Sequence, residues 1–297
     1  MSITQLRAFH VVAVCGGFSR AAREMAVSQS TLSAQVRQLE AASGIQLFLR
    51  KPRGVLLTPD GQALFDVTKR LFAAELEART FLRRDTRQAG GHLRLAADGV
   101  FHPVPILARL QKGRPHLTFT LNIGNSEQVI EQLLDHRVDV GITARLPADR
   151  RLHVRPMLSM GIGVFMLAGH PWAARTGIAI RELAGHAFVL RERGSVTREV
   201  FEQNLAEHGV AIGPALEVTT PEGVREMVAG GFGLGIVADR EFGHDTRLRF
   251  VPLADARIAI DEYMICLEER RRIPLVRDFL ACAGALFGPQ EMQACAP

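Results

Sequence analysis

The sequence predicts an α/β chain in two parts. An N-terminal winged helix-turn-helix with a long dimerisation-type helix is followed by a two-lobed α/β domain of periplasmic-binding-protein type. Three observations predict it. Short amphipathic helices and a basic hairpin fill the first sixty residues. The excess positive charge sits in the first third of the chain. Beyond a glycine-bearing break near residue 90, strand-like and helix-like segments alternate in two successive sets, the pattern of βα units.

Residues 1–90 hold 13 Lys and Arg against 7 Asp and Glu, a net charge of +6, whereas the remaining 23 basic and 24 acidic residues nearly cancel. A small basic domain joined to a neutral one suits a reader of polyanions attached to something else. With 297 residues there is room for two domains, and 47% hydrophobic with 23% charged residues is an ordinary globular balance. The apolar run MGIGVFMLAG (160–169) is too short and too glycine-rich to span a bilayer, so no membrane partner is expected. MSITQLRAF shows no basic leader followed by an apolar core, which predicts a cytoplasmic protein. Cys15, Cys266, Cys282 and Cys295 are scattered, without a CxxC pair or a histidine at ligand spacing. They predict reduced thiols, no metal site and no cofactor.

In ITQLRAFHVVAV (3–14), Leu6, Phe9, Val12 and Val14 recur at near-helical spacing, and Gly16 and Gly17 stop that helix. Ser19 then caps a short helix, RAAREMA, with Ala22 and Met25 inward and Val27 as the break. Ser28 caps a third, QSTLSAQVRQLEAASG, whose Leu32, Val36 and Leu39 form one stripe ending at Gly44. Two short helices about a tight turn, the second polar at its start, make a helix-turn-helix. IQLFLRKPRGVLLTPDG alternates about KPRG as a hairpin wing with Arg50, Lys51 and Arg53 at its tip. Thr58 or Asp60 caps a long helix over about 60–87. Its Leu64, Leu71 and Ala78, with Val67 and Ala74 between them, follow a heptad-like seam that predicts pairing with a second subunit.

QAGGH (88–92) is the expected linker. HLRLAA, LTFTLNIG and VDVGIT then read as strands, separated by the helices PVPILARLQ and EQVIEQLLDH. After residue 150 the set restarts with GVFMLAG, AFVLRE, the helix after GSVTR, ALEVT, EGVREMVAGG and GLGIVA. The strand YMICLEE (263–269) and the helix PLVRDFLACAGALF close the chain. Two such sets predict two lobes with parallel sheets, lobe I over about 91–160 plus 266–297 and lobe II over about 161–265. The expected domains are 1–59 for the winged helix-turn-helix, 60–90 for the long helix and hinge, and 91–297 for the two-lobed part. Ligands of such sheets sit beyond the strand C-termini, at helix starts, and GSVTR occupies such a place.

The stretch FSRAAREMAVSQSTLSAQVRQLEAASGIQLFLR with the following LTPDG resembles the LysR-type transcriptional regulators. That family has Ala-Ala in the second helix, Val-Ser-Gln in the turn, Leu-Ser before Gln, Leu-Glu at the helix end and Leu-Phe in the wing. The likeness covers essentially the whole chain. It implies double-stranded DNA as one partner, a small effector as another, and a homo-oligomer, commonly a dimer of dimers. Two positions depart from the pattern. Ser30 stands where proline is frequent, and Ala34 where arginine or lysine is frequent, which leaves more of the phosphate and base contact to Arg37. Within the family, IGNSEQVIEQLLD, RERGSVTREVFE and EFGHDTRL resemble a subgroup associated with 2-aminoethylphosphonate catabolism.

Ser28, Gln29, Ser30, Thr31 and Ser33 begin the expected recognition helix. Capping accounts for Ser28 and part of Ser30; base and phosphate contact in the major groove is the reading for the others, with Arg37. Arg50 and Arg53 on the wing reach phosphates or a narrow minor groove. For the effector, Gly99, Phe101 and His102 of DGVFHPVP follow the first strand of the two-lobed part, and Thr143 ends VDVGIT. His102 reads equally as a structural histidine. Asn125 and Ser126 begin one helix, and Ser195, Thr197 and Arg198 begin another. Two helix starts converging with an arginine would make an oxyanion pocket, the bland alternative at each being a cap. The ammonium of a zwitterion such as 2-aminoethylphosphonate would need an acceptor, either Asp98 or Glu222. A carboxylate, phosphate ester or sulfur metabolite is the alternative effector.

Other classes are disfavoured. GFGLG (231–235) precedes a strand when a dinucleotide loop should follow one. GSVTR lacks the GxSxG context and an assignable His/Asp set, so an enzyme is not expected. A periplasmic solute binder shares the two-lobed architecture but not the basic N-terminal domain.

Overall fold

The computed structural model describes residues 1–51, 54–82, 91–254 and 258–287. Two compact units divide the chain, residues 1–88 and 89–297.

The first unit is built from α1 (Ile3–Cys15), α2 (Phe18–Glu24), α3 (Gln29–Ser43), the hairpin β1 (Phe48–Lys51) with β2 (Gly54–Leu57), and α4 (Pro59–Leu82). Ser2 and Gln5 form a capping box on α1, and Gly16 ends it in the left-handed region at φ 66°. Phe9, Val12, Ala21, Ala22, Leu32, Val36, Leu39, Leu47 and Phe48 form the core. Val14 is not part of it. It is 63% exposed, because two residues beyond Val12 is about 200° around a helix, the opposite face. Ser19 does not cap α2: the N-cap is Gly17, and the Ser19 hydroxyl donates to Gln29 Oε1 instead. Ser28 does cap α3, accepting from Thr31 N at 3.1 Å. At the start of α4 the cap is Thr58, not Asp60: its Oγ1 accepts from Gly61 N at 2.9 Å.

The α4 seam divides along its length. Leu64 packs against the core of its own unit, whereas Val67, Ala74 and Ala78 are exposed. The face toward α1 is aromatic: His10 lies between Phe65 and Phe72, with ring centroids at 5.3 and 5.0 Å, and bonds Thr68 Oγ1 at 3.1 Å. Burial, with Lys69 and Arg7 nearby, lowers the His10 pKa to about 4. The end expected for this helix near 87, and the linker residues 88–90, lie outside the described residues.

The second unit holds one nine-stranded sheet, order β4-β3-β5-β11-β6-β9-β7-β8 with β10 also on β6. The strands are β3 (His92–Ala97), β4 (Thr118–Ile123), β5 (Val140–Thr143), β6 (Leu152–Leu167), β7 (Phe188–Arg191), β8 (Ala215–Val218), β9 (Leu234–Ala238), β10 (Leu248–Pro252) and β11 (Ala259–Leu267). The parallel sets exist: β4-β3-β5 at one end, β9-β7-β8 at the other. The expectation of purely parallel sheets is corrected by two long strands between them. β6 and β11 pair antiparallel with each other; β11 continues onto β5 and β6 onto β9 and β10, so one ladder serves both lobes. The expected lobe boundaries near 160 and 265 therefore fall inside β6 and β11. Around the first set lie α5 (Pro103–Gly113), α6 (Ser126–Leu134) and α9 (Pro274–Leu286); around the second lie α7 (Val196–Glu207) and α8 (Pro221–Ala229). Each set encloses its own core, one around Leu93, Ile106 and Phe279, the other around Phe188, Phe201 and Ile236.

Candidate functional site

In the first unit, α3 presents its polar start to solvent. Ser28, Gln29, Ser30, Thr31 and Arg37 are exposed and Ser33 half-buried. The Ser28 hydroxyl is 2.8 Å from those of Ser30 and Thr31, so three hydroxyls are already tied into the cap. Arg37 Nε donates to Ser33 O at 3.3 Å, which lays the guanidinium along the helix face. Arg50 pairs with Val55 across the hairpin. Its side chain, and all of Arg53, lie outside the described residues.

In the second unit, strand C-termini and helix starts surround a cleft lined by Asp98, Gly99, Phe101, Asn125, Ser126, Arg191, Ser195, Thr197, Glu222, Arg225, Glu241 and Glu262. It encloses about 70 Å³.

Two helix starts meet here. Asn125 caps α6 by accepting from Gln128 N at 3.0 Å. Ser195 occupies the N-cap of α7, yet its side chain makes no capping bond although the residue is only 6% exposed. The first intrahelical bond of α7 is Glu199 N to Ser195 O, so the N–H groups of Val196, Thr197 and Arg198 have no acceptor within the helix. Gly194 makes the approach possible. At φ +97° a side chain would be strained, and a Cβ would stand 3.3 Å from Asn125 Nδ2. Arg145 crosses the same junction, donating to both Glu199 oxygens at 2.7 and 2.8 Å.

The cleft floor is acidic. Asp98, just after β3, accepts at Oδ2 from Ser126 Oγ and from Ala144 N, each at 2.7 Å. Burial nevertheless raises its pKa. Glu241 ends the short turn after β9, and its Oε1 would lie 3.1 Å from a Cβ on Gly99, so a side chain at 99 would crowd that carboxylate. Burial, reinforced by Asp98 and Asp239 and opposed by Arg191, pushes Glu241 up to about 8. Glu262 is 2% exposed. It sits where the β11–β6 register shifts, an irregularity that re-aims side chains. Burial raises its pKa well above the ordinary range, and Asp98 and Glu241 add to this.

Of the expected effector residues, the structure brings Gly99, Phe101, Asn125, Ser126, Ser195 and Thr197 to the cleft wall. Three expectations are corrected. Arg198 points away from the cleft: it donates to Glu202 Oε1 and Glu217 Oε2, each at 2.7 Å, and to Arg191 O at 2.6 Å. Four residues before Glu202 it shares that residue's face of α7, turned to Glu217 on β8. Thr143 is fully buried, and its hydroxyl accepts from Arg145 N; the next residue, Ala144, lines the cleft instead. His102 is behind the wall, 4% exposed, with Nδ1 3.8 Å from Glu241 Oε1. Burial lowers its pKa to about 4, so the ring is neutral.

Arg191, Arg225, Glu241 and Glu262 were not anticipated. Arg191 ends β7 and Glu241 follows β9, at strand C-termini where ligands of such sheets bind, so position alone could have found them. Glu262 had no such signal, because its place depends on an antiparallel strand and its irregular register.

Residues 86–288 match the LysR substrate binding domain, and residues 3–62 match the bacterial regulatory helix-turn-helix protein, lysR family. The RuBisCO operon transcriptional regulator of Allochromatium vinosum is 31% identical over 240 residues, 80% of this chain and 80% of its own. CbnR complexed with its target DNA has the same fold: TM-score 0.69 at 20% identity, over 96% of this chain and 99% of that one. The CcmR regulatory domain of Synechocystis, solved in complex with 2-PG, gives 0.60 at 24% identity over 67% of this chain and 98% of that one. No helix among the described residues is long and apolar enough to cross a membrane. This chain belongs to the LysR family: it is a DNA-binding transcriptional regulator that senses a small-molecule effector, and not an enzyme.

Proposed function

We propose that this regulator senses a compact anion held at the facing starts of α6 and α7, and that the anion controls transcription of catabolic genes in the cytoplasm. The observation that carries the reading is Ser195, a buried serine at a helix start whose hydroxyl is not spent on the cap and lines the cleft. Around it are the unbonded N–H groups of α7, the Thr197 hydroxyl and Arg191, whose Nε and Nη2 already donate to Glu192 at 2.8 and 3.0 Å, a set that suits a phosphonate, phosphate or carboxylate. The likeness to regulators associated with 2-aminoethylphosphonate catabolism favours a phosphonate. That CcmR's regulatory domain holds 2-PG supports a small ligand for this domain type.

On the DNA side, Gln29, Ser30, Thr31 and Ser33 contact base edges and phosphates, with Arg37, Arg50 and Arg53 on the backbone or minor groove. The exposed Val67–Ala74–Ala78 face of α4 pairs with a second copy, and two dimers assemble into a tetramer. The effector reading is tested by calorimetric titration of the full chain with methylphosphonate, inorganic phosphate and acetate. Binding of one of them, weakened about tenfold by Ser195→Ala, supports it; binding unchanged in Ser195→Ala removes the helix start from the site.

A further inference from the structure

We infer that the effector also carries a primary ammonium group, and that Glu241 and Glu262, beside Asp98 and backed by His102, form the subsite that holds it. This rests on the proposed anion site and names the second half of the same ligand.

The ligand-type atoms of His102, Glu241 and Glu262 all lie within 4.8 Å of one another, with His102 Nδ1 and Glu241 Oε1 3.8 Å apart. Two of these side chains carry an atom left over. Glu262 Oε2 and His102 Nε2 are fully enclosed and have no hydrogen-bond partner, and Glu262 lines the cleft. A buried polar atom without a partner is costly, by about 1–3 kcal/mol, so it points to a partner that arrives from outside.

Spacing and charge both bear on that partner. An ammonium donates in tetrahedral directions over about 2.8 Å, which sets its acceptors about 4.6 Å apart. A divalent ion bound at about 2.1 Å needs its ligands roughly 3.0–3.4 Å apart. The His102 Nδ1–Glu241 Oε1 separation, 3.8 Å, lies between the two, so a metal needs the pair to close and an ammonium needs it to open. The electrostatics favour a cation here. Three carboxyls in one enclosed cleft cannot all ionise unaided, and a monocation placed among them removes the repulsion. Neutral His102 adds a lone pair without adding a competing charge.

The two subsites are contiguous, because Asp98 belongs to the acidic floor and is bonded to Ser126 at the start of α6. The effector is therefore a short-chain amino anion, its charged ends reaching from the helix starts to the acidic floor.

The test compares 2-aminoethylphosphonate with ethylphosphonate, which keeps the anion and lacks the amine, by calorimetry on the full chain and its Glu262→Gln variant. The amino compound should bind the parent at least tenfold more tightly, and Glu262→Gln should abolish most of that advantage while acting less on ethylphosphonate. Glu241→Gln serves as the second variant if Glu262→Gln does not fold. Equal affinities in the parent overturn the ammonium subsite and leave the anion site standing. Failure of both phosphonates to bind overturns the ammonium subsite together with the phosphonate reading. Tight Mn²⁺ or Zn²⁺ uptake, lost in Glu262→Gln, overturns it in favour of a metal site.

Discussion

Ser126 donates its hydroxyl to Asp98 Oδ2 at 2.7 Å, joining the first residue of α6 to the acidic floor of the cleft. The bond commits the serine proton to the floor, so at this helix start an anion is left with backbone N–H groups. Ser126→Ala should destabilise the protein by about 1–3 kcal/mol, because both partners are enclosed and the carboxyl loses a donor. Denaturant unfolding checks this: an unchanged midpoint would show that the bond carries no net energy.

Glu241 makes stability depend on pH. Its folded pKa is about 8 against about 4.5 unfolded, so the folded state holds the extra proton between those values. Stability from this group is full below about pH 4.5 and falls as pH rises through about 8. Asp98, Glu262, Asp239, Arg191 and His102 all face it, so the comparison must be made within one background. Glu241→Gln should gain on the parent steadily from pH 5 to pH 8.5 in urea midpoints. A constant difference across that range would contradict the shift.

Arg198 should be dispensable for effector binding. Its guanidinium is bound to Glu202, Glu217 and the Arg191 carbonyl, so Arg198→Ala should change ligand affinity by less than about threefold while costing roughly 0.5–1.5 kcal/mol of stability. A tenfold loss of affinity with unchanged stability would return Arg198 to the site.

DNA recognition divides by residue. Arg37→Ala should lower affinity across sequences and reduce the slope of log affinity against log salt by about 1. Gln29→Ala should instead relax preference at one base position, by about 1–3 kcal/mol. Gel-shift titrations at several salt concentrations separate the two, and identical behaviour of both variants would refute the division.

Assembly should depend on the outer face of α4. Val67 is 49% exposed and apolar, so Val67→Glu with Ala74→Glu should halve the mass seen by light scattering and leave the unit folded. Leu64→Glu should act differently, unfolding the first unit, because Leu64 packs on its own core. Unchanged mass in the double variant would exclude this face as the interface.

Much of the fold was legible because local chemistry specified it. The cap at Ser28, the stripe Leu32–Val36–Leu39, the stop at Gly44 and the parallel-strand runs are each written in neighbouring residues, with helical or strand period. The cap and ligand candidates Asn125, Ser126, Ser195 and Thr197 were legible for the same reason, since a helix start has a local signature. The direction of Arg198 was not, because a residue three places into a helix faces whatever tertiary partner lies beside it, and here that is Glu217 on β8. Nor was the acidic floor. Asp98, Glu241 and Glu262 are far apart in the chain and meet only because β3, β9 and β11 end or bend at one place. The sequence thus determined the helices and the parallel strands, while β10 and the first half of β6 carried no such local signal. Only the long antiparallel strands and the register shift at Glu262 decided which charges share one enclosed cleft, because burial and mutual repulsion are properties of distance in space.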